Sequence, residues 1–118
     1  MLPLRPEHCA AVYDCLRAFP PFSRWKLPES DEIEFVVNLD PKVYGTCEFY
    51  PSSGRATIKV SAANVGHWNT LGMYMAHEMI HLYQYRQGIS RHDVEHDADF
   101  RRRAKAICRR FGWDAKAF

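Results

Sequence analysis

Leu71-Gly72-Met73-Tyr74-Met75-Ala76-His77-Glu78-Met79-Ile80-His81-Leu82-Tyr83-Gln84-Tyr85-Arg86-Gln87 is the stretch on which the reading of this chain turns. It contains no proline. Asn69 or Thr70 can cap a helix before it, and Gly88 can end one after it. Leu71, Met75 and Leu82 share one side at helical spacing, with Met79 near them, so the pattern predicts a long, well-packed helix over residues 71–87. Inside it stands His77-Glu78-Met79-Ile80-His81, an HExxH motif.

Residues four apart on a helix share a face, with Cβ atoms ~5–6 Å apart. Both imidazoles therefore reach one metal ion at ~2.0–2.1 Å. Glu78 is turned about 100° from His77, beside such an ion rather than on it. From there it can take a proton from water whose pKa zinc lowers to ~7. With this composition a chance HExxH has a probability of roughly 0.02 per chain, and two histidines without a ligand would be costly in a packed helix.

A catalytic zinc wants a third protein ligand and one open position. The metzincin continuation would need glycine at 84 and histidine at 87, where the chain has Gln84 and Gln87. The third ligand must come from the later stretch His92-Asp93-Val94-Glu95-His96-Asp97-Ala98-Asp99. His96 lies near the start of a last helix, and His92 is its nearest rival. Glu95 or Asp99 would make a two-histidine, one-carboxylate site instead.

Outward from the motif, residues 7–18 read as a short helix through Cys9, Val12, Tyr13 and Leu16, stopped by Pro20-Pro21; residues 22–31 read as a loop. Three strand-like runs follow: Ile33–Val37, Tyr44–Tyr50 and Arg55–Ser61. Pro51-Ser52-Ser53-Gly54 joins the last two as a hairpin loop. After the HExxH helix, residues 94–111 read as a final helix whose apolar stripe is Phe100, Ala104, Ile107, Cys108 and Phe111. The expected fold class is α+β: an N-terminal helix, a small three-stranded, mostly antiparallel sheet, the active-site helix and a basic C-terminal helix, as one domain over residues 1–118.

Composition sets the outer bounds. The chain has 118 residues, 47% apolar and 25% charged, which excludes disorder and coiled coil. No apolar run reaches the ~18 residues of a membrane span, and the N-terminus has no run of signal-peptide length. Cys9, Cys15, Cys47 and Cys108 stand apart, with no Cys-x-x-Cys pair, so reduced thiols in a cytoplasmic protein are expected. The net charge of +2 conceals an acidic body followed by a basic end. On a helical projection Arg101, Arg102, Arg103, Lys105, Arg109 and Arg110 form one unbroken cationic face. That face suits a weak, sequence-independent contact with DNA phosphates, against the plainer reading of a solvated surface paired with the acidic body.

The stretches Tyr44-Gly45-Thr46-Cys47-Glu48-Phe49-Tyr50, Ile58-Lys59-Val60-Ser61, His77–Leu82 and His96-Asp97-Ala98-Asp99-Phe100-Arg101 together resemble the SprT-like metallopeptidase family, which includes the Spartan proteases. That family has a G-x-C-x-[YF] strand, a strand ending in serine, an H-E-M-x-H helix and an H-[GD]-x-[DE]-F element. The resemblance covers roughly residues 40–112 and implies a minimal zincin-like fold, Zn2+ as cofactor, His77, His81 and His96 as ligands and Glu78 as general base. It also implies substrates that are proteins held on DNA, as in DNA–protein crosslinks. Residues 111–118 are similar to short phage or prophage members. Asp97 stands where glycine is commoner, which a helix start should tolerate; many members carry a zinc ribbon or DNA-binding regions beyond the point where this sequence stops.

Three functions are thus in view. The first is a zinc endopeptidase on protein or peptide substrates, bound as an extra strand along the Arg55–Ser61 edge. The second is a nucleic-acid-binding module with a structural or vestigial zinc. The third is an ImmA-like regulatory peptidase, which a Glu95 ligand would favour. Trp68 and Trp113 are expected to pack, His8 and His67 to lie on the surface, and Tyr74, Tyr83 and Tyr85 to be core or rim aromatics. Asp99 is expected either to orient a ligand histidine or to favour the start of the last helix.

Overall fold

The long helix that the apolar spacing predicts is present as α2, Trp68–Gln87, in a computed structural model that describes residues 4–89 and 96–118. Before it come α1 (Pro6–Arg17), β1 (Ile33–Asn38), β2 (Gly45–Tyr50) and β3 (Arg55–Ser61); after it comes α3 (Ala98–Phe111). Short 3-10 turns occupy Phe22–Arg24 and Ser30–Glu32 within the expected loop. The α+β class holds. No helix among the described residues is long and apolar enough to cross a membrane.

Leu71, Met75, Met79, Ile80 and Leu82 of α2 are buried, each contributing ~1.5–3 kcal/mol of apolar burial. Gly88 ends the helix in the left-handed region at φ 67°. The start differs from expectation. Neither Asn69 nor Thr70 caps it; the N-cap is His67, and Asn69 Oδ1 instead accepts a hydrogen bond from Trp113 Nε1 at 2.9 Å. α1 begins at Pro6, whose fixed φ suits the first helical position, and buries Cys9, Tyr13 and Leu16. The Tyr13 hydroxyl donates to the Pro28 carbonyl at 2.6 Å, tying the helix to the loop before β1.

The sheet is mixed, with order β1-β3-β2, rather than mostly antiparallel. The β2–β3 hairpin is antiparallel and turns through Gly54 at φ 73°, as its Pro-Ser-Ser-Gly loop requires. β1, however, pairs in parallel with β3, Phe35 opposite Ile58. Strand direction alternates along the chain, but β3 enters between β1 and β2, so β1 meets the strand that runs its own way. The crossing loop is clamped by two side chains: Ser61 Oγ donates to the Asp40 carbonyl at 2.6 Å, and Asn64 Nδ2 donates to the Val43 carbonyl at 2.7 Å. A further consequence corrects the expected substrate edge. β3 is the central strand, so Arg55–Ser61 offers no open edge, and the outer strand packed against α2 is β2.

α3 starts at Ala98 with Asp97 as its N-cap, Asp97 Oδ1 accepting from the Phe100 N–H at 2.8 Å. The start expected near residue 94 lies outside the described residues. The buried stripe is Phe100, Ala104, Ile107 and Cys108, with Phe111 half-buried, as the spacing requires. All four cysteines are free thiols. Trp68 does not pack in the core: it is 66% exposed, its ring edge-on to the half-buried His8.

Candidate metal centre

One helical turn of α2 carries His77 and His81 on a shared face, and the residue just before the α3 cap brings His96 to them. One ligand nitrogen from each of the three imidazoles lies within 4.8 Å of the others. Asp99 is not part of this cluster; His92 and Glu95 lie outside the described residues. His81 is buried at 5% exposure, and His96 is exposed at the mouth. Burial first, then the nearby His77 and His96, push the His81 pKa down to about 3, so at neutral pH its imidazole is the uncharged form that a metal needs.

Phe100 forms the floor beneath the cluster. Its ring stacks on His96 at 4.3 Å and on His81 at 4.6 Å between centroids, and stands 4.9 Å from His77. The spacing placed Phe100 only on the buried stripe of α3; its contact with all three imidazoles follows from the crossing of α3 on α2. Gln84 is a second residue whose role the sequence reading missed. Fully buried, it donates from Nε2 to Asp97 Oδ1 at 3.2 Å and to Asp99 Oδ2 at 2.9 Å, joining α2 to the start of α3 beside His96. The signal was available: Gln84 stands at i+7 from His77 and i+3 from His81, on the same helix face.

Asp99 therefore serves the α2–α3 junction. It also pairs with Arg102 and Arg103. Burial would raise its pKa, but hydrogen bonds from Arg103 and Gln84 and the charges of Arg103 and Arg102 outweigh that and hold it below the usual carboxylate range.

Glu78 is 4% exposed and faces β2. Gly45 on β2 lies against it: a Cβ there would be in ordinary contact with Glu78 Oε2, at 3.5 Å. Two residues further along β2 is Cys47. Burial, with the Glu78 and Glu48 charges beside it, drives its thiol far above the ordinary range, so it stays protonated. Tyr44 and Tyr74 stack at 4.3 Å one turn before the motif, with Tyr44 half exposed, as rim aromatics.

Of the expected cationic face, Arg103 is half-buried and the other five side chains are exposed. Arg101 donates to the His96 carbonyl, Arg102 and Arg103 pair with Asp99, and Arg103 lies over the rings of Tyr83 and Trp25 at 4.6 and 5.3 Å. Asp99 one turn upstream and the Tyr83–Trp25 pair draw the Arg103 guanidinium inward, while the Arg102 side chain stays 71% exposed. Lys105, Arg109 and Arg110 are exposed and make no ion pair among the described residues, and the last two line a cleft of about 800 Å³ with Phe19, Arg24 and Phe111.

The donor set suits a borderline metal ion such as zinc: three imidazoles, two from α2 and one from the residue before the α3 cap, brought within reach of one ion. The model of the SprT-like family matches residues 15–116, a span that includes the whole cluster, Glu78 and Gly45. No curated protein and no solved structure matches the chain.

Proposed function

The chain belongs to the SprT-like family, a zincin-like metallopeptidase family, and from this we propose that it is a zinc-dependent endopeptidase with His77, His81 and His96 as ligands and Glu78 as general base. The observation that carries the reading is the buried Glu78 carboxylate on the same helix as two of three converging imidazoles. A structural site has no use for that carboxylate.

When bound, the metal supplies Lewis acidity toward a water and toward the scissile carbonyl oxygen. Glu78 takes the proton released as the peptide carbonyl is attacked and passes it to the departing amine. Its burial against β2 keeps it in one orientation and removes it from bulk water, which strengthens both steps. An extended substrate pairs along the outer edge of β2, not β3, with its carbonyl over the cluster.

Proteins held on DNA are the proposed substrates, with Lys105, Arg109 and Arg110 as a weak phosphate contact. The decisive experiment is cleavage of casein or histone, with and without DNA, by the wild type and by Glu78→Gln. The amide preserves size but cannot accept a proton. Zinc retained with turnover lost is the expected result; equal turnover rejects the general-base role.

A further inference from the structure

Beyond Gly112, which leaves α3 in the left-handed region at φ 77°, the chain reverses and runs back along α2. Trp113 anchors it. Its N–H donates to the Cys108 carbonyl at 2.9 Å, its ring stacks on Phe111, and its Nε1 donates to Asn69 in the first turn of α2. The indole lies beside Gly72, where a Cβ would be in ordinary contact with Trp113 Cζ2 at 3.5 Å. A turn closed by Ala117 N–H on the Asp114 carbonyl at 3.0 Å then delivers Phe118 to the candidate metal centre. The Phe118 main-chain oxygen lies 2.8 Å from His77 Nδ1, and its ring stands 5.3 Å from the imidazole.

We propose that residues 112–118 form a strap whose Phe118 main-chain oxygen positions His77 for metal binding; this rests on the metal reading above. A main-chain oxygen only accepts, so Nδ1 must carry the proton in this hydrogen bond. The Nε2 lone pair is then the one left for the ion, and the ring is held at the angle the other two imidazoles require. Phe118 is a positioning residue: it acts through His77. The contact joins residues 41 positions apart, and its two anchors, Asn69 and Gly72, lie on the same helix as the ligand it serves.

The test compares the 118-residue chain, a chain shortened to residues 1–117, and Phe118→Ala, which keeps the main-chain oxygen. Zinc affinity is measured by chelator competition, and the His77 tautomer by 15N NMR of the metal-free protein. The full chain should show His77 protonated on Nδ1. The shortened chain should lose 10–100-fold in zinc affinity, the effect of deleting a partner that orients a ligand, with Phe118→Ala close to wild type. His77 protonated on Nε2 in the full chain overturns the proposal. So does unchanged affinity in the shortened chain, or a loss in Phe118→Ala as large as that of the truncation, which would assign the effect to the ring. If the full chain binds no zinc, the metal reading fails and the tautomer alone decides the strap. If the shortened chain does not fold, the tautomer in the full chain and in Phe118→Ala decides it.

Discussion

Gly45 meets Glu78 across the gap between β2 and α2: a Cβ added at 45 would stand 3.5 Å from the Glu78 carboxylate and 2.9 Å from the Lys59 main-chain oxygen on β3. The first contact is ordinary; the second is not, because a backbone carbonyl cannot swing aside. Gly45 is thus a steric requirement, set by the close packing of the sheet beneath the helix.

Gly45→Ala should therefore push β2 away from its partner and move the wall behind Glu78. We expect a loss of about 1–3 kcal/mol in stability, the usual cost of overpacking. Peptidase activity should fall further than the folded fraction explains, since a displacement of ~1 Å at a catalytic group can cost ~100-fold. A thermal melt beside turnover at a temperature where both proteins are folded checks this; wild-type turnover in the variant would refute it.

His96→Ala should leave His77 and His81 as a two-imidazole site. Wild type is expected to hold about one zinc per chain and the variant far less after dialysis, because a catalytic site needs three protein ligands. Elemental analysis showing full retention would move the third ligand elsewhere, with His92 and Glu95 the first residues to examine.

Asp99→Asn probes the α2–α3 junction through pH. The folded carboxylate pKa is lowered, so the ionised form favours the folded state. That stability is present above the unfolded value of about 3.9 and is lost as pH falls through the folded value. Wild type should exceed the variant by about 1 kcal/mol at neutral pH, and the gap should close in acid below about pH 4. Melts from pH 3 to 7 measure it; a gap that widens on acidification would reverse the assignment.

The basic helix separates into two groups that mutate differently. Lys105, Arg109 and Arg110 together changed to Glu should abolish low-salt binding to duplex DNA with little effect on folding. Arg103→Glu should destabilise the fold, because it removes the pair with Asp99 and the stacking over Tyr83 and Trp25. Fluorescence anisotropy at two salt concentrations tests the first; each phosphate contacted adds about 0.9 to the slope of log affinity against log salt. Unchanged binding in the triple variant would leave those residues as a solvated face.

Much of the molecule was legible in order along the chain. The HExxH helix, the hairpin at Gly54 and the buried stripe of α3 are local patterns, set by periods of 3.6 and 2 and by turn residues that need positive φ. His77, Glu78 and His81 share a helix, so their spacing alone determined their relative placement. What tertiary structure decided involves residues distant in sequence. The insertion of β3 between β1 and β2 made the sheet mixed and left β1 and β2, not β3, at its edges. The crossing of α3 on α2 brought His96 to His77 and His81, put Phe100 beneath the three and gave Gln84 two carboxylates to hold. The return of Phe118 to His77 belongs to the same class. Helical periodicity is a property of neighbouring residues, whereas these contacts exist only once separate elements have packed, and no spacing along the chain records which atoms will meet.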